Sequence, residues 1–95
     1  MPAIKIMTVC GFGLGSSMIL KITLDRMLQE TNISAETFCA DELTAASEDF
    51  DIVFTSKEMA HLFEGEERPV IVIENFLSKQ EVREKGLEII KQNAK

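Results

Sequence analysis

The chain has 95 residues, 45% of them apolar, and a formal charge of −6. That is enough for one modest hydrophobic core and too little for two, so a single domain over 1–95 is expected. With 10 basic against 16 acidic residues, the chain lacks the clustered cations that a nucleic-acid backbone or an anionic lipid surface requires. No run approaches the ~20 apolar residues of a membrane-spanning helix and the first residues carry no secretory pattern, so a cytoplasmic protein without membrane insertion is expected.

The first predicted element is a strand over Ile4–Val9, apolar nearly throughout, as suits a strand covered on both faces. It runs into Cys10-Gly11-Phe12-Gly13-Leu14-Gly15-Ser16-Ser17, and a helical pattern over 18–28 leads out. That helix carries Leu20, Leu24, Met27 and Leu28 on one side and Lys21, Asp25 and Gln29 on the other, and Asn32 ends it. A second strand over Ala35–Ala40 is less apolar, which suits a sheet edge. Residues 42–46 are expected to make one or two helical turns capped by Asp41.

A third strand is expected over 51–55, and Ser56 is placed to cap a short helix over 57–63 that Gly65 terminates. Pro69 opens a fourth strand over 70–73. Ser78-Lys79-Gln80-Glu81 reads as a capping box with Leu77 stapled onto Val82, and the last helix should bury Val82, Ile89 and Ile90. Gly86 lies on that buried face and lets the helix approach the sheet. Strands alternating with helical segments call for an open parallel sheet with helices on both faces, a Rossmann-like α/β sandwich. Such sheets bind ligands at the carboxyl ends of their strands, beside the point where strand order reverses.

Cys10 occupies such a strand end. Amides of Gly11, Phe12, Gly13, Leu14, Gly15, Ser16 and Ser17 can converge on an anion there, and a helix starting near Ser16 adds its positive end. The same field favours the thiolate, the reactive form of cysteine. Ser16 and Ser17 serve equally as helix caps, and Cys10 equally as a small buried apolar residue. Cys10 and Cys39 have neither Cys-x-x-Cys spacing nor a histidine close by, which disfavours zinc and dithiol redox work. No metal or other cofactor is expected. His61, the single histidine, is expected to play a surface or packing role.

The run Cys10-Gly11-x-Gly13-x-Gly15-Ser16-Ser17-Met18 resembles the phosphocysteine loop of enzyme IIB components of the bacterial phosphoenolpyruvate-dependent sugar phosphotransferase system, most of all the ascorbate-specific branch. The likeness extends to chain length, element order and the Asn75-Phe76-Leu77-Ser78 segment. It implies a four-stranded parallel sheet in the order 2-1-3-4, with Thr55, Ser56 and Lys57 across a crevice from the loop. It also implies a relay: Cys10 accepts a phosphoryl group from a phosphohistidine on a IIA protein or domain and passes it to a sugar, or sugar acid, held by the membrane permease IIC. Residues 11–17 then cradle the phosphate, with Ser56 and Lys57 in second rank and Phe12, Leu14 and Met18 as candidate contacts for the IIA partner.

Two other readings use the same cysteine. A small cysteine phosphatase needs an arginine six positions after the nucleophile, where this chain has Ser16. Cys10 could also be a sensor thiol, phosphorylated as in related domains of sugar-responsive regulators, or oxidised to a sulfenic acid or to a bridge with Cys39, a bridge better read as an oxidation hazard.

Overall fold

Strand β1 (Ile4–Val9) leads into helix α1 (Leu14–Glu30), followed by β2 (Ala35–Ala40), a 3-10 turn (Ala45–Ser47), β3 (Ile52–Thr55), a second 3-10 turn (Ala60–Phe63), β4 (Val70–Val72) and helix α2 (Lys79–Asn93). The computed structural model describes residues 4–9, 14–41 and 43–93, the side chains of 14–17 and 46 excepted. All strand pairs are parallel and the spatial order is β2-β1-β3-β4. The strand order implied by the resemblance is therefore the observed one. β2 pairs with β1 alone and stays half-buried along most of its length, as its composition led us to expect of an edge.

Handedness decides which face each connection covers. The β1-to-β2 crossover runs one way along the sheet and the next two run the other way. Right-handed crossovers then place α1 on one face and both 3-10 turns on the opposite face. The core divides accordingly. Ile4, Ile6, Ile52, Phe54 and Ile71 meet Leu20, Leu24, Met27 and Leu28 of α1 and Val82 and Ile90 of α2. Met7, Val9 and Val53, one residue out of phase, meet Ala45, Phe50 and Phe63 on the other side. Both faces are covered, one by α-helices and one by 3-10 turns.

Helix α1 closes through a left-handed Asn32 (φ 58°). The N–H of Ile33 reaches Leu28 O at 3.1 Å and that of Asn32 reaches Gln29 O at 3.4 Å, the paired hydrogen bonds of a Schellman cap. Asn32 ends the helix as expected, and Ile33 then packs on the α-face core. Thr37 Oγ1 donates to Asp25 at 2.6 Å, tying the edge strand to α1.

Three local expectations are corrected. The helix expected over 42–46 is one 3-10 turn: Asp41 accepts the N–H groups of Leu43 and Thr44, each at 3.0 Å, but Phe50 must reach the core and Asp51 N–H is held by Lys5 O at 2.8 Å. The chain has no room for a second turn before β3 begins. The helix over 57–63 is likewise a 3-10 turn, and Ser56 does not cap it; Phe63 turns into the core and Gly65 (φ 77°) reverses the chain. The staple on α2 keeps one of its expected halves, buried Val82, and loses the other. Leu77 is 77% exposed, and Phe76 packs against the core instead. Ser78 Oγ does accept Glu81 N–H at 3.1 Å, while the Glu81 carboxylate turns back to the N–H groups of Glu74 (2.7 Å) and Asn75 (2.8 Å).

The 3-10 face is clamped by Arg68. Its guanidinium lies 3.7 Å over the Phe50 ring, donates to Glu48 O and Phe50 O, and grips Glu66 through Nε at 2.8 Å and Nη2 at 2.9 Å. Those hydrogen bonds from Arg68 hold the Glu66 carboxyl down at about 2 from an ordinary 4.5. Because the folded value is the lower one, the stability this pair adds is fully present above pH 4.5 and is lost as pH falls through about 2. A carbon-detected NMR titration should show the Glu66 carboxyl changing near the lower value, and Arg68→Lys should move its midpoint upward. An unmoved midpoint would sink the clamp.

Candidate functional site

A parallel sheet sends all its strands to one edge, so the carboxyl ends of β1, β3 and β4 lie together. There Val9 is paired with Thr55, and Thr55 with Val72. Strand order reverses between β1 and β3, because the chain leaves β1 toward one face and β3 toward the other. The first-turn amides of α1, at Leu14, Gly15 and Ser16, have no acceptor inside their own helix and carry the positive end of its dipole.

Cys10, Gly11, Phe12 and Gly13 lie outside the described residues, so the cradle expected over them is not described. Leu14, Gly15, Ser16 and Ser17 belong to α1, which begins two residues earlier than expected. Leu14 is thus a first-turn residue and not a loop tip, and Ser16 and Ser17 lie within that turn and not at the cap position.

Thr55 and Ser56 sit at the end of β3, 0% and 4% exposed, and neither hydroxyl has a hydrogen-bond partner among the described residues. Their backbone carbonyls are used, Thr55 O by Ile73 N–H at 2.9 Å and Ser56 O by Met59 N–H at 3.1 Å. Lys57 follows on the exposed turn. The β1/β3 register puts Thr55 beside Val9, the last residue of β1, and the segment they were expected to face lies outside the described residues.

The edge continues into the 74–78 loop. Glu81 pins its start through Glu74 and Asn75, and Thr23 Oγ1 of α1 donates to Phe76 O at 2.6 Å. Burial pushes the Glu81 carboxyl up, but the N–H of Glu74, the Lys85 ammonium and the N–H of Asn75 outweigh it and the net direction is down. The loop is therefore latched to both helices. Sequence reasoning missed this latch, since a threonine in the middle of a helix carries no signal for a contact with Phe76, 53 residues on, and a capping-box glutamate none for the loop that precedes it. Beside it, Met18, Ile19 and Ile22 expose 48%, 43% and 47% of their surface and Leu77 more. Met18, a candidate partner contact, is on the surface.

Cys39 is half-buried on β2, partnered in the sheet by Thr8, whose Oγ1 lies 3.4 Å from its Sγ. His61 is exposed, with Nδ1 2.7 Å from Glu58 O, a local turn contact in keeping with the surface role expected. Among the described residues no group of histidine, cysteine, aspartate and glutamate is placed to hold a metal ion, and no helix is long and apolar enough to cross a membrane.

These features define a class: an open, all-parallel α/β sheet whose sequence carries a cysteine and a glycine-rich run directly after the first strand. Residues 5–88 match the family model of the phosphotransferase system lactose/cellobiose-specific IIB subunit, and the chain belongs to that family. It is 31% identical over 93 residues to the ascorbate-specific phosphotransferase system EIIB component of Escherichia coli O157:H7, covering 95% of this chain and 92% of the relative. The protein of the same name from Shigella boydii serotype 4 is 32% identical over 91 residues, covering 93% and 90%. The lactose-specific IIB domain of Streptococcus pneumoniae has the same fold at 11% identity, with a TM-score of 0.56 over 95% of this chain and 93% of that one. The chain is thus a phosphotransferase, a phosphoryl-transferring component of a sugar phosphotransferase system.

Proposed function

We propose that this chain is the IIB component of an ascorbate-type system and that the sulfur of Cys10 carries the phosphoryl group. The observation that supports the reading is the register of Val9 with Thr55, by which β1 ends at the strand-order reversal, the edge where such sheets bind anions, with α1 beginning at Leu14. The ascorbate assignment rests on the relatives that bear that name and cover nearly the whole chain.

The first step is an in-line displacement. The Cys10 thiolate attacks phosphorus, the P–N bond of a phosphohistidine on IIA breaks, and the imidazole leaves with the bonding pair. In the second step the S–P bond breaks as a hydroxyl of the sugar acid on the IIC permease attacks, giving up its proton to solvent or a permease base, and the thiolate is restored. The protein's share is positioning and charge stabilisation: amides of Gly11 to Ser17 and the dipole of α1 hold the three equatorial oxygens. Ser56 and Lys57 stand in second rank. Phe12 and the exposed face of Met18, Ile19 and Ile22 meet IIA in a brief cytoplasmic contact.

The arginine-free run after Cys10 supports a carrier over a phosphatase, since a neutral cradle holds a thiophosphate without drawing water onto it. Incubation with the phosphorylated IIA protein of an ascorbate system should add one phosphate by intact mass. Membranes bearing the cognate permease should then discharge it onto ascorbate and not onto lactose or cellobiose. Discharge onto the disaccharide would move the chain to the other branch; steady turnover of an aryl phosphate without any partner would make it a phosphatase.

A further inference from the structure

Of the five large apolar side chains exposed among the described residues, four meet on one face: Met18, Ile19 and Ile22 of α1 and Leu77 of the 74–78 loop. The latch brings them together. Thr23, four residues after Ile19 and one after Ile22, donates to Phe76 O at 2.6 Å, so the residue after Phe76 lies against that stretch of α1. Leu77 is fixed there with its side chain outward: its N–H reaches Asn75 Oδ1 at 3.0 Å while Phe76 takes the place against the core. An apolar patch held outward by hydrogen bonds marks a protein contact.

The cations beside the patch are a second, independent observation. Lys5, Lys21, Arg68, Lys79 and Lys85 each hold a carboxylate. Arg26 and Arg83 are exposed and hold none among the described residues, in a chain with 16 acidic residues. Arg26 is one turn beyond Ile22 on the same stripe of α1 and one turn before Glu30. Glu30 pairs with Lys79 of α2, and Arg83 is one turn beyond Lys79. The two arginines thus flank the ion pair that ties the helices together, next to the apolar patch.

We infer that this helical face is the selective part of the contact with IIA, and that it fits a partner surface with an apolar centre and carboxylates placed to meet Arg26 and Arg83. This rests on the carrier reading, which gives Met18, Ile19 and Ile22 to that contact; Leu77, Arg26 and Arg83 are added as determinants of which IIA is accepted. Charge chooses the occupant. Cytoplasmic loops of membrane proteins carry an excess of lysine and arginine, which these arginines repel. A second copy related by a two-fold axis brings the same unpaired arginines to the contact. An anionic lipid surface repels a chain of net charge −6. A soluble protein donor with an acidic rim meets none of these conflicts.

With the phosphorylated IIA of an ascorbate system as donor, Arg26→Glu should raise the KM for IIA roughly fivefold to tenfold and leave kcat unchanged, since the side chain touches the partner and not the reacting group. Leu77→Ala should raise it about fivefold, and Arg26→Lys should keep most of the parent's affinity. Added salt should weaken the parent's contact more than that of an Arg26→Ala, Arg83→Ala double variant. Lys91→Glu, at an exposed cation toward the far end of α2, should change nothing. In the parent, unphosphorylated IIA should shift the amide resonances of Ile22, Arg26 and Leu77, a readout that needs neither a variant nor phosphate. Parent-like KM in both Arg26→Glu and Leu77→Ala, or unmoved resonances, would overturn the inference and leave Cys10 as carrier. Slower discharge to permease membranes with loading from IIA unchanged would give the face to the permease, and a sedimenting dimer that Leu77→Ala dissolves would give it to a second copy; either overturns it. Shifted resonances in a chain that takes no phosphate on Cys10 would refute the carrier reading and keep the docking face.

Discussion

Cys10→Ser will take up no phosphate from phosphorylated IIA, while Cys39→Ser will load close to the parent rate. The exchange replaces one atom, so the melting temperature should stay near that of the parent. What changes is the nucleophile. A thiol near a helix N-terminus reaches its thiolate at neutral pH, whereas a serine hydroxyl there has no base to activate it. Cys39 supplies the comparison because it is half-buried on the edge strand, with Thr8 as its sheet partner, inside the sheet and not at its end. Phosphate found on the Cys10→Ser chain by intact mass would refute the role assigned to the sulfur. Loss of loading in Cys39→Ser would point to a two-cysteine mechanism and revive the redox reading.

Gly86→Ala will destabilise the protein by about 2 kcal/mol, the opposite of what the same change does on an open helix, where it gains about 1 kcal/mol. A Cβ at residue 86 meets Phe54 Cζ at 2.4 Å and Cε2 at 2.7 Å, with Ile71 Cδ1 at 3.5 Å. Phe54 is fully buried under both helices and cannot swing into solvent. Either α2 lifts from the sheet or the ring leaves its rotamer, and each opens a packing defect. For a chain of this size the loss lowers the melting temperature by roughly 8–15 °C. Phe54→Leu removes the atoms in conflict, so the double variant should be more stable than the sum of the two single changes, by about 1 kcal/mol in a urea-unfolding cycle. Additivity would show that the glycine serves the helix backbone and not the close approach.

Elements with a strong apolar period were legible from the residues. β1, β2 and α2's buried face, with Val82, Gly86 and Ile90, stand where their patterns put them, and α1 carries Leu20, Leu24, Met27 and Leu28 inward. The weak apolarity of β2 announced an edge before any pairing was known. The short connections were not legible. Asp41 shows its capping character in both readings, yet how far a helix runs from it depends on where Phe50 and Asp51 must arrive. Leu77 and Phe76 compete for one place against the core, and no local rule ranks them.

The site divides in the same way. A cysteine at the end of an apolar strand, followed by alternating glycines and two serines, was enough to name the family, because such a run is a pattern of consecutive residues. The strand order came with the resemblance and not from the periodicity, since apolar runs say that strands are buried without saying which are neighbours. The pairing of β1 with β3 decided that Thr55 stands beside the last residue of β1, and the burial of Thr55 and Ser56 exists only once both faces of the sheet are covered. Local chemistry is written in adjacent residues; which distant side chains share a pocket is settled by the packing of the sheet.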